Sequence, residues 1–575
     1  MGERFNFQVF GRFWAIAKPY WTGKDKWKPL GLLLLIVLLL LAYTGLSVVI
    51  NNQRGELISS LSGKNEERFW QTVAIFVGVL VIYAPLLAGY TYLRDRLGLA
   101  WRRWLTDSFV ERYFSDRAFY NINQFKPEID NPDQRIAEDV KSFTQESLTL
   151  TLVVTDSVLE VIAFSGVLWG ISRELVLFLL AYAVLGTLVT VGVFGKPLVK
   201  LNFEQLKKEA NFRFSLVRVR ENAEAIAFYQ GEAQESAQVK ERFMAAFNNY
   251  KQLLLWELTL NGLTNFYEFV PYVLPAIVVA PAVFGGEVEV GKVSEAQGAF
   301  IRVFFSLNVI VARLQSLTAF GAGIDRLYDF TQSLGTAELK SEPKSEPKAM
   351  DKSNTEPTID FEIAPTLALE NVTLQTPNYQ RTLIEDLSLS LGESKSLLVM
   401  GPSGCGKSSL MRAIAGLWTS GSGTIERPDL SKLLFLPQKP YMVLGDLRQQ
   451  LKYPYPDVDF TDDELTGVLT KVNLPDLAER FGGFEAIEEW GDVLSLGEQQ
   501  RLSFARVLLH NPTYTILDEA TSALDSQNEE QLYKQLADAK TAYISVGHRE
   551  SLQTYHTALL RLATNHSWVM CDQHT

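Results

Sequence analysis

The clearest chemistry in the chain sits in one run of residues: Gly401, Pro402, Ser403, Gly404, Cys405, Gly406, Lys407 and Ser408, with Ser409 after them. Their spacing is GxxxxGK[ST]. The apolar stretch Ser396–Met400 before them reads as a buried strand and the residues after them as a helix, the context this motif requires. The glycines let backbone N–H groups wrap phosphates, and the start of the helix adds a favourable dipole. Lys407 is placed to reach the β- and γ-phosphates of a nucleotide, and Ser408 to ligate Mg2+. A second apolar strand, Tyr514–Leu517, runs into two acids, Asp518 and Glu519. Asp518 suits a Mg2+ shell and Glu519 is placed to polarise a water. Two such acids alone equally describe carboxylates settled on a helix dipole; below a phosphate-binding loop the catalytic reading prevails. Cys405 reads as a small residue tolerated in the loop and open to thiol reagents.

The elements that position these residues belong to the second part of the chain. From about residue 366 short apolar strands alternate with helical stretches, which predicts an α/β domain over 366–575. Before it, residues 341–358 repeat SEPK in tandem and nearly lack apolar side chains, so 336–365 reads as a flexible, solvated linker. Residues 1–335 are different again. Six apolar segments, at about 30–50, 69–93, 148–171, 175–195, 253–283 and 296–317, have lengths near the roughly 20 residues that span a bilayer. The fold class expected is therefore multi-domain: a six-helix transmembrane α domain joined to an α/β P-loop domain. A cleaved signal peptide is a poor account of the first segment, which begins only at Leu30 and lacks a small-residue cleavage site.

Composition agrees and excludes other classes. The 575 residues carry 54 Lys+Arg against 66 Asp+Glu, a net charge of −12, which argues against a nucleic-acid binder. Two cysteines cannot build a disulfide framework, and 47% hydrophobic residues are too many for a disordered chain. Lysines and arginines crowd the segment before the first span and the segments 94–147 and 196–252, and are sparse in the other loops. By the positive-inside rule both termini face the cytoplasm. The two long basic segments have helical composition and read as helices continuing out of the membrane. A 25-residue extension would reach about 37 Å.

Charges inside the spans mark a cavity or a partner, because they are costly in hydrocarbon. Asp156 and Glu160 are spaced i, i+4 and share one helix face. Glu268 and Arg302 lie at similar depth if their helices are antiparallel, and are expected to pair. An acidic cavity lined by Asp156, Glu160 and Glu268 favours a cationic or polar cargo. The competing reading places these residues on cytoplasmic helix extensions.

Between the two nucleotide motifs lie Leu494, Ser495, Leu496, Gly497, Glu498 and Gln499, followed by Gln500 and Arg501. The order of P-loop, Gln438, this LSLGEQQR, the strand ending in Asp518–Glu519, and His548 resembles an ATP-binding cassette (ABC) ATPase. Six spans with one cassette resemble an ABC half transporter. The segment departs from the usual LSGGQ at Leu496. Its LSLGEQQR form resembles subfamily D, the peroxisomal fatty-acyl-CoA half transporters, and bacterial half transporters for uptake of vitamin B12 or antimicrobial peptides. Asn131-Pro132-Asp133-Gln134-Arg135-Ile136 is similar to a motif of that subfamily. So are Lys18-Pro19-Tyr20-Trp21 and Trp101-Arg102-Arg103-Trp104-Leu105-Thr106. Glu221 to Tyr229, with Glu221 and Glu224, resembles its coupling motif. The likeness covers nearly the whole chain.

The resemblance implies ATP and Mg2+ as cofactors and a dimer in which each P-loop faces the other chain's signature, Leu494 to Gln499. A homodimer is the default for a single chain. Ser495 and Gly497 would contact the γ-phosphate in trans, and Asp525 would sit on the dimer seam. Ser408, Gln438 and Asp518 would hold the metal. Glu519, His548 and Gln438 would be catalytic. Adenine would stack on an aromatic upstream of the P-loop; Thr376 falls at that position, and Tyr379 is the nearest aromatic. The function implied is ATP-driven movement of a solute, with uptake of a cobalamin-like or peptide cargo first, and a fatty-acyl-CoA, lipid or export role as the alternative. An ATP-gated channel is the rival from another class; Lys407, Glu519 and His548 together favour turnover. No targeting or lipidation signal is read; the short N-terminal segment and compact length favour a bacterial inner membrane, with the ATPase domain cytoplasmic.

Overall fold

The computed structural model describes residues 7–125, 131–334, 357–539 and 541–572. The chain divides into two compact units, Met1–Lys344 and Ser345–Thr575.

The first unit is helical. Its main helices are α1 (Phe7–Thr22), α2 (Trp27–Ser62), α3 (Glu66–Phe114), α4 (Val140–Ile171), α5 (Arg173–Thr190), α6 (Lys196–Glu221), α7 (Glu232–Phe284), α8 (Gly291–Ala312) and α9 (Leu314–Ser333). Five helical segments among the described residues are long and apolar enough to cross a membrane: Trp27–Ser62, Glu66–Gln124, Pro132–Ile171, Arg173–Glu221 and Glu232–Phe284. They contain the first five expected spans. The sixth, 296–317, is not among them. It divides at Arg313 into α8 and α9. Its apolar run is interrupted by Arg302 and Arg313, while Ala296, Ala299, Phe300 and Val303 are all 0% exposed and pack against neighbouring helices.

Glycine and asparagine let α2 and α8 approach closely. A Cβ on Gly291 would stand 2.0 Å from the carbonyl oxygen of Gly55. Beside this crossing Asn51 Nδ2 donates to the Glu295 carbonyl at 3.0 Å, and the Gly291 N–H donates to Ser59 Oγ at 3.1 Å. The Lys18–Trp21 and Trp101–Thr106 motifs meet, with Tyr20 stacked on Trp101 at 5.6 Å and Trp21 edge-on to it at 5.4 Å. In the turn before α4, Arg135 pairs with Asp139 at 3.0 Å, and Arg326 of α9 reaches the same buried carboxylate at 2.8 Å. A buried charge needs such partners.

The expected rods are helices with breaks. The first is interrupted at Ser115–Arg117, where Asp116 has φ +47°, and a short helix, Ala118–Phe125, follows. Residues 126–130 of it lie outside the described residues. The second consists of α6 and the start of α7, joined by the short helix Ala223–Tyr229.

The second unit holds two sheets. One has the order β1-β5-β2-β3, from Asp360–Ile363 (β1), Leu367–Gln375 (β2), Thr382–Leu391 (β3) and Gly421–Arg427 (β5). The other has the order β10-β9-β4-β8-β7-β6, from Ser396–Met400 (β4), Leu433–Leu436 (β6), Tyr514–Asp518 (β7), Ala542–Val546 (β8), Ala558–Leu562 (β9) and Trp568–Asp572 (β10). Strands β9, β4, β8, β7 and β6 are parallel neighbours and β10 is antiparallel. They are short and apolar, as strands covered on both faces are. Tyr514, fully buried, ties the sheets together: its hydroxyl donates to the Leu391 carbonyl at 2.8 Å and accepts from the Leu367 N–H at 3.3 Å.

The ordered sheet begins inside the expected linker, 336–365. Thr358 bridges to Ser420, Ile359 is buried, and β1 pairs along β5 from Asp360. The linker reading therefore ran too far at its C-terminal end; residues 335–356 lie outside the described residues.

Candidate nucleotide site and membrane cavity

Parallel strands present their C-terminal ends on one edge of the sheet, the usual ligand edge of an open α/β fold. Four adjacent strands deliver the predicted residues there. The P-loop follows β4, His548 follows β8, Asp518 and Glu519 close β7, and Gln438 follows β6. Glu519 has φ +51°, so the chain turns sharply as β7 ends, and its N–H donates to the Val546 carbonyl at 3.1 Å.

The loop fits a phosphate chain. Gly404 and Gly406 have φ +78° and +104°, a conformation that side chains rarely adopt. Helix α10 (Lys407–Ile414) begins directly after it. Lys407, 7% exposed, folds its ammonium onto the carbonyls of Gly401 at 2.8 Å and Pro402 at 3.0 Å. A buried cation that meets only carbonyls suits an anionic ligand. Cys405 is buried under the loop, and Pro402 and Ser403 are exposed. Ser409 stands one residue further into the first turn of α10.

Ser408 Oγ donates to Asp518 Oδ1 at 3.2 Å. Burial pushes the Asp518 carboxyl above the ordinary carboxylate range; the hydrogen bond from Ser408 opposes this and neighbouring Glu519 adds to it. Among the described residues no three His, Cys, Asp or Glu gather into a metal cage. Ser408 and Asp518 bring together a hydroxyl and a carboxylate, which suit an ion that takes its remaining ligands from phosphate and water, as Mg2+ does.

Glu519 is held from two sides. Gln438 Nε2 donates to Oε2 at 2.8 Å, and His548 Nε2 lies 3.0 Å from Oε1. These three predicted residues therefore form one hydrogen-bonded group.

The signature segment opens helix α11 (Leu496–His510). Leu494 is buried, Ser495 is the exposed N-cap, and Gln499 donates back to the carbonyls of Gly491 and Leu494 at 2.9 and 2.8 Å. Leu496 is 44% exposed, so the side chain that stands where LSGGQ has glycine reaches the surface. A Cβ on Gly497 would meet the Ala523 carbonyl at 3.3 Å, so the helix start lies against the loop leading to Asp525. Asp525 is exposed and caps helix α12 (Ser526–Asp538), its Oδ1 accepting from the Asn528 N–H at 2.8 Å. That backbone hydrogen bond holds its carboxyl below the ordinary range. Tyr379 lies in the turn between β2 and β3, with φ +56°.

Sequence reasoning missed Gln500, which is 1% exposed. Its amide nitrogen donates to the Gln438 carbonyl at 3.3 Å and to Ser522 Oγ at 3.2 Å; its oxygen accepts from the Ala523 N–H at 3.0 Å. One side chain thus ties α11 to the loops carrying Gln438 and Asp525. Its place directly after the signature was the available signal.

In the membrane unit the three acids part company. Glu160 is taken: Arg302 Nη1 donates to Oε1 at 2.7 Å and Ser306 Oγ to Oε2 at 2.6 Å. The expected Glu268–Arg302 pair is therefore wrong; Arg302 faces α4. Asp156, one turn earlier on the same helix, has a buried oxygen, Oδ1, with no hydrogen-bond partner among the described residues. Glu268 makes no ion pair among the described residues and lines a cavity of about 550 Å³ between α5, α6, α7 and α8. Phe194, Phe266, Tyr267, Asn261 and Asn308 share the lining. Asp156 and Glu160 do not. Glu221 ends α6 and Glu224 lies in the helix Ala223–Tyr229, where Phe228 and Tyr229 are 78% and 87% exposed.

Comparison with known proteins agrees with these features. Residues 16–284 match the family described as ABC transporter transmembrane region 2, and residues 384–522 the family described as ABC transporter. The chain is 45% identical to an ABC transporter ATP-binding protein of Synechocystis sp., over 95% of this chain and 82% of that protein. It is 39% identical to ABC transporter D family member 2, chloroplastic, of Arabidopsis thaliana, over 97% and 86% of the two chains. It is 32% identical to the lysosomal cobalamin transporter ABCD4 of Homo sapiens, over 98% and 96%. The chain thus combines a helical membrane region with one P-loop ATPase unit, the make-up of an ABC half transporter. The chain belongs to the ABC transporters, among the D family and its bacterial relatives, and is an ATP-hydrolysing transporter of that family.

Proposed function

We propose that this chain works as a homodimer in a bacterial inner membrane and couples ATP hydrolysis to movement of a polar or amphipathic solute, with uptake of a cobalamin-like or peptide cargo as the first candidate. Both termini and the ATPase unit face the cytoplasm, as the distribution of Lys and Arg supports. The observation that carries the reading is Glu519, fixed by Gln438 and His548 at the strand edge that bears the P-loop. The ABCD4 relative, named for cobalamin, supports the cargo class.

Each residue then has a task. The backbone of Gly401 to Gly406 and the Lys407 ammonium bind the triphosphate, with Ser409 at the helix start and Tyr379 against the base. Ser408, Asp518 and Gln438 hold Mg2+, which neutralises phosphate charge when bound. Glu519 accepts a proton from the attacking water through one carboxylate oxygen, while His548 and Gln438 keep that carboxylate oriented. In the dimer, Ser495 and Gly497 of one chain close on the nucleotide of the other, as a helix N-terminus does on an anion. Asp525 lies at the seam. Glu221 and Glu224, in the turn between α6 and α7, pass movement to the membrane helices, and α8 completes the bundle as the sixth span.

Glu268 and its cavity form the cargo site. An unpaired carboxylate among aromatic and amide side chains selects a ligand with an apolar body and a cationic or hydrogen-bond-donating group. Transport of a cationic proline-rich peptide and of cobalamin into proteoliposomes, wild type against Glu268→Gln, tests this. Peptide transport falls about tenfold more than cobalamin transport if the carboxylate recognises charge. Equal losses would refute the assignment.

A further inference from the structure

The signature segment of this chain carries a charge. Where LSGGQ has glutamine, this sequence has Glu498. On the dimer reading above, on which this inference rests, that places a carboxylate at the helix N-terminus offered to the partner's triphosphate. Two anions brought together in a closing interface repel, and the fold supplies a counter-charge.

Glu498 is occupied on both oxygens. Oε2 accepts from the Ser495 hydroxyl at 2.8 Å and the Ser495 N–H at 2.9 Å, and the Glu498 N–H returns a bond to Ser495 Oγ at 3.3 Å. Oε1 accepts from Arg480 Nη1 at 2.8 Å. Arg480 comes from the short helix Leu477–Phe481, 18 residues earlier, and lies over the Phe481 ring at 4.8 Å. Glu498 is 16% exposed and Arg480 40%. The remaining guanidinium donors make no hydrogen bond among the described residues, so the group has one edge on Glu498 and another open. Burial acts to raise the Glu498 carboxyl, but Arg480 and Ser495 outweigh it and hold it below the ordinary range.

We propose that Arg480 is a positioning residue of the trans nucleotide site: it neutralises Glu498 and keeps the Ser495 cap in place, so that a signature bearing a carboxylate can close on a triphosphate. The usual signature, with an uncharged glutamine, has no need of this cation. The guanidinium is suited to the task because it stays charged and can share its fork between a carboxylate and a second anion.

The test uses the two halves of the ion pair against each other. If the pair only anchors the helix 477–481, Arg480→Ala and Glu498→Gln break the same contact and act in the same direction. If Arg480 compensates charge, they act in opposite directions. We expect Arg480→Ala to raise the KM for Mg-ATP about tenfold, and Glu498→Gln to lower it about two- to threefold, kcat changing less than KM in both. The double variant returns to within about threefold of wild type, and Arg480→Lys keeps most of the function. The assay is phosphate release by the full chain in liposomes, with thermal unfolding of each variant as a control for folding. Same-direction shifts for the two single variants, or a double variant as impaired as Arg480→Ala, would overturn this inference while leaving the transporter reading intact. A folded wild-type protein that releases no phosphate would overturn both.

Discussion

Replacing Gln500 with leucine should uncouple the catalytic loops without unfolding the ATPase unit. Leucine keeps most of the volume and removes all three hydrogen bonds that join Gln438, Ser522 and Ala523 to helix α11. Gln438, Ser522 and Ala523 are exposed residues, so their freed groups can regain water and the loss is that of the bonds themselves, about 0.5–1.5 kcal/mol each. The bonds are long, at 3.0 to 3.3 Å, which puts the total near the low end: about 2–3 kcal/mol. At 1.4 kcal/mol per decade that is roughly 30- to 140-fold in the population of correctly placed loops. Both loops can recover water by moving outward, so the cost falls on their alignment with Glu519 and leaves the buried sheet intact. We expect kcat for ATP hydrolysis to fall at least about tenfold while KM changes less than about threefold and the unfolding temperature drops only a few degrees. Steady-state phosphate release by the full chain in lipid reads this directly. A Gln500→Leu protein with wild-type kcat would show that these three bonds do not hold the catalytic loops in place.

Gly291→Ala should loosen the α2–α8 crossing, because the added methyl would lie 2.0 Å from the Gly55 carbonyl oxygen and 2.3 Å from Ser59 Oγ. Overpacking of this kind costs about 1–3 kcal/mol, and more against backbone; a lower unfolding temperature in detergent is the expected result, and an unchanged one would contradict the packing. The Glu498 carboxyl is held below its ordinary range. The stability it contributes is therefore full above the unfolded-state value and is lost as pH falls through the lowered folded value. The unfolding-temperature difference between wild type and Glu498→Gln should narrow from about pH 6 to about pH 3; a constant difference would contradict the ion pair.

The nucleotide motifs were legible because their residues are contiguous and the strand before each is short and apolar. Neither Arg480 nor Gln500 could be read that way. Their partners, Glu498 for one and Gln438 and Ala523 for the other, are set by how the helix Leu477–Phe481 and the end of β6 pack around α11, and spacing along the chain carries no record of that. Depth along a helix was legible from the membrane segments, but rotation about its axis was not, which is why Arg302 was matched to Glu268 when it faces Glu160. The boundary near residue 366 failed for a different reason. The polar SEPK repeats dominate any window that includes them, and so they masked Ile359 and Phe361, whose burial begins the sheet. The sixth segment is weak for another reason: Arg302 and Arg313 lower its apolar average, while α8 is held by packing against α2, α4 and α7.

ATP hydrolysis by Glu519→Gln decides whether Glu519 is the general base. The substitution keeps the shape and the contact with Gln438 and removes the charge that accepts a proton. Wild type and variant, each as the full chain in liposomes, would be given Mg-ATP while ATP binding and phosphate release are followed together. Unchanged ATP binding is expected, with a release rate lower by about 100-fold or more, the range a general base supplies. A variant that binds ATP and releases phosphate at the wild-type rate would remove Glu519 from that role.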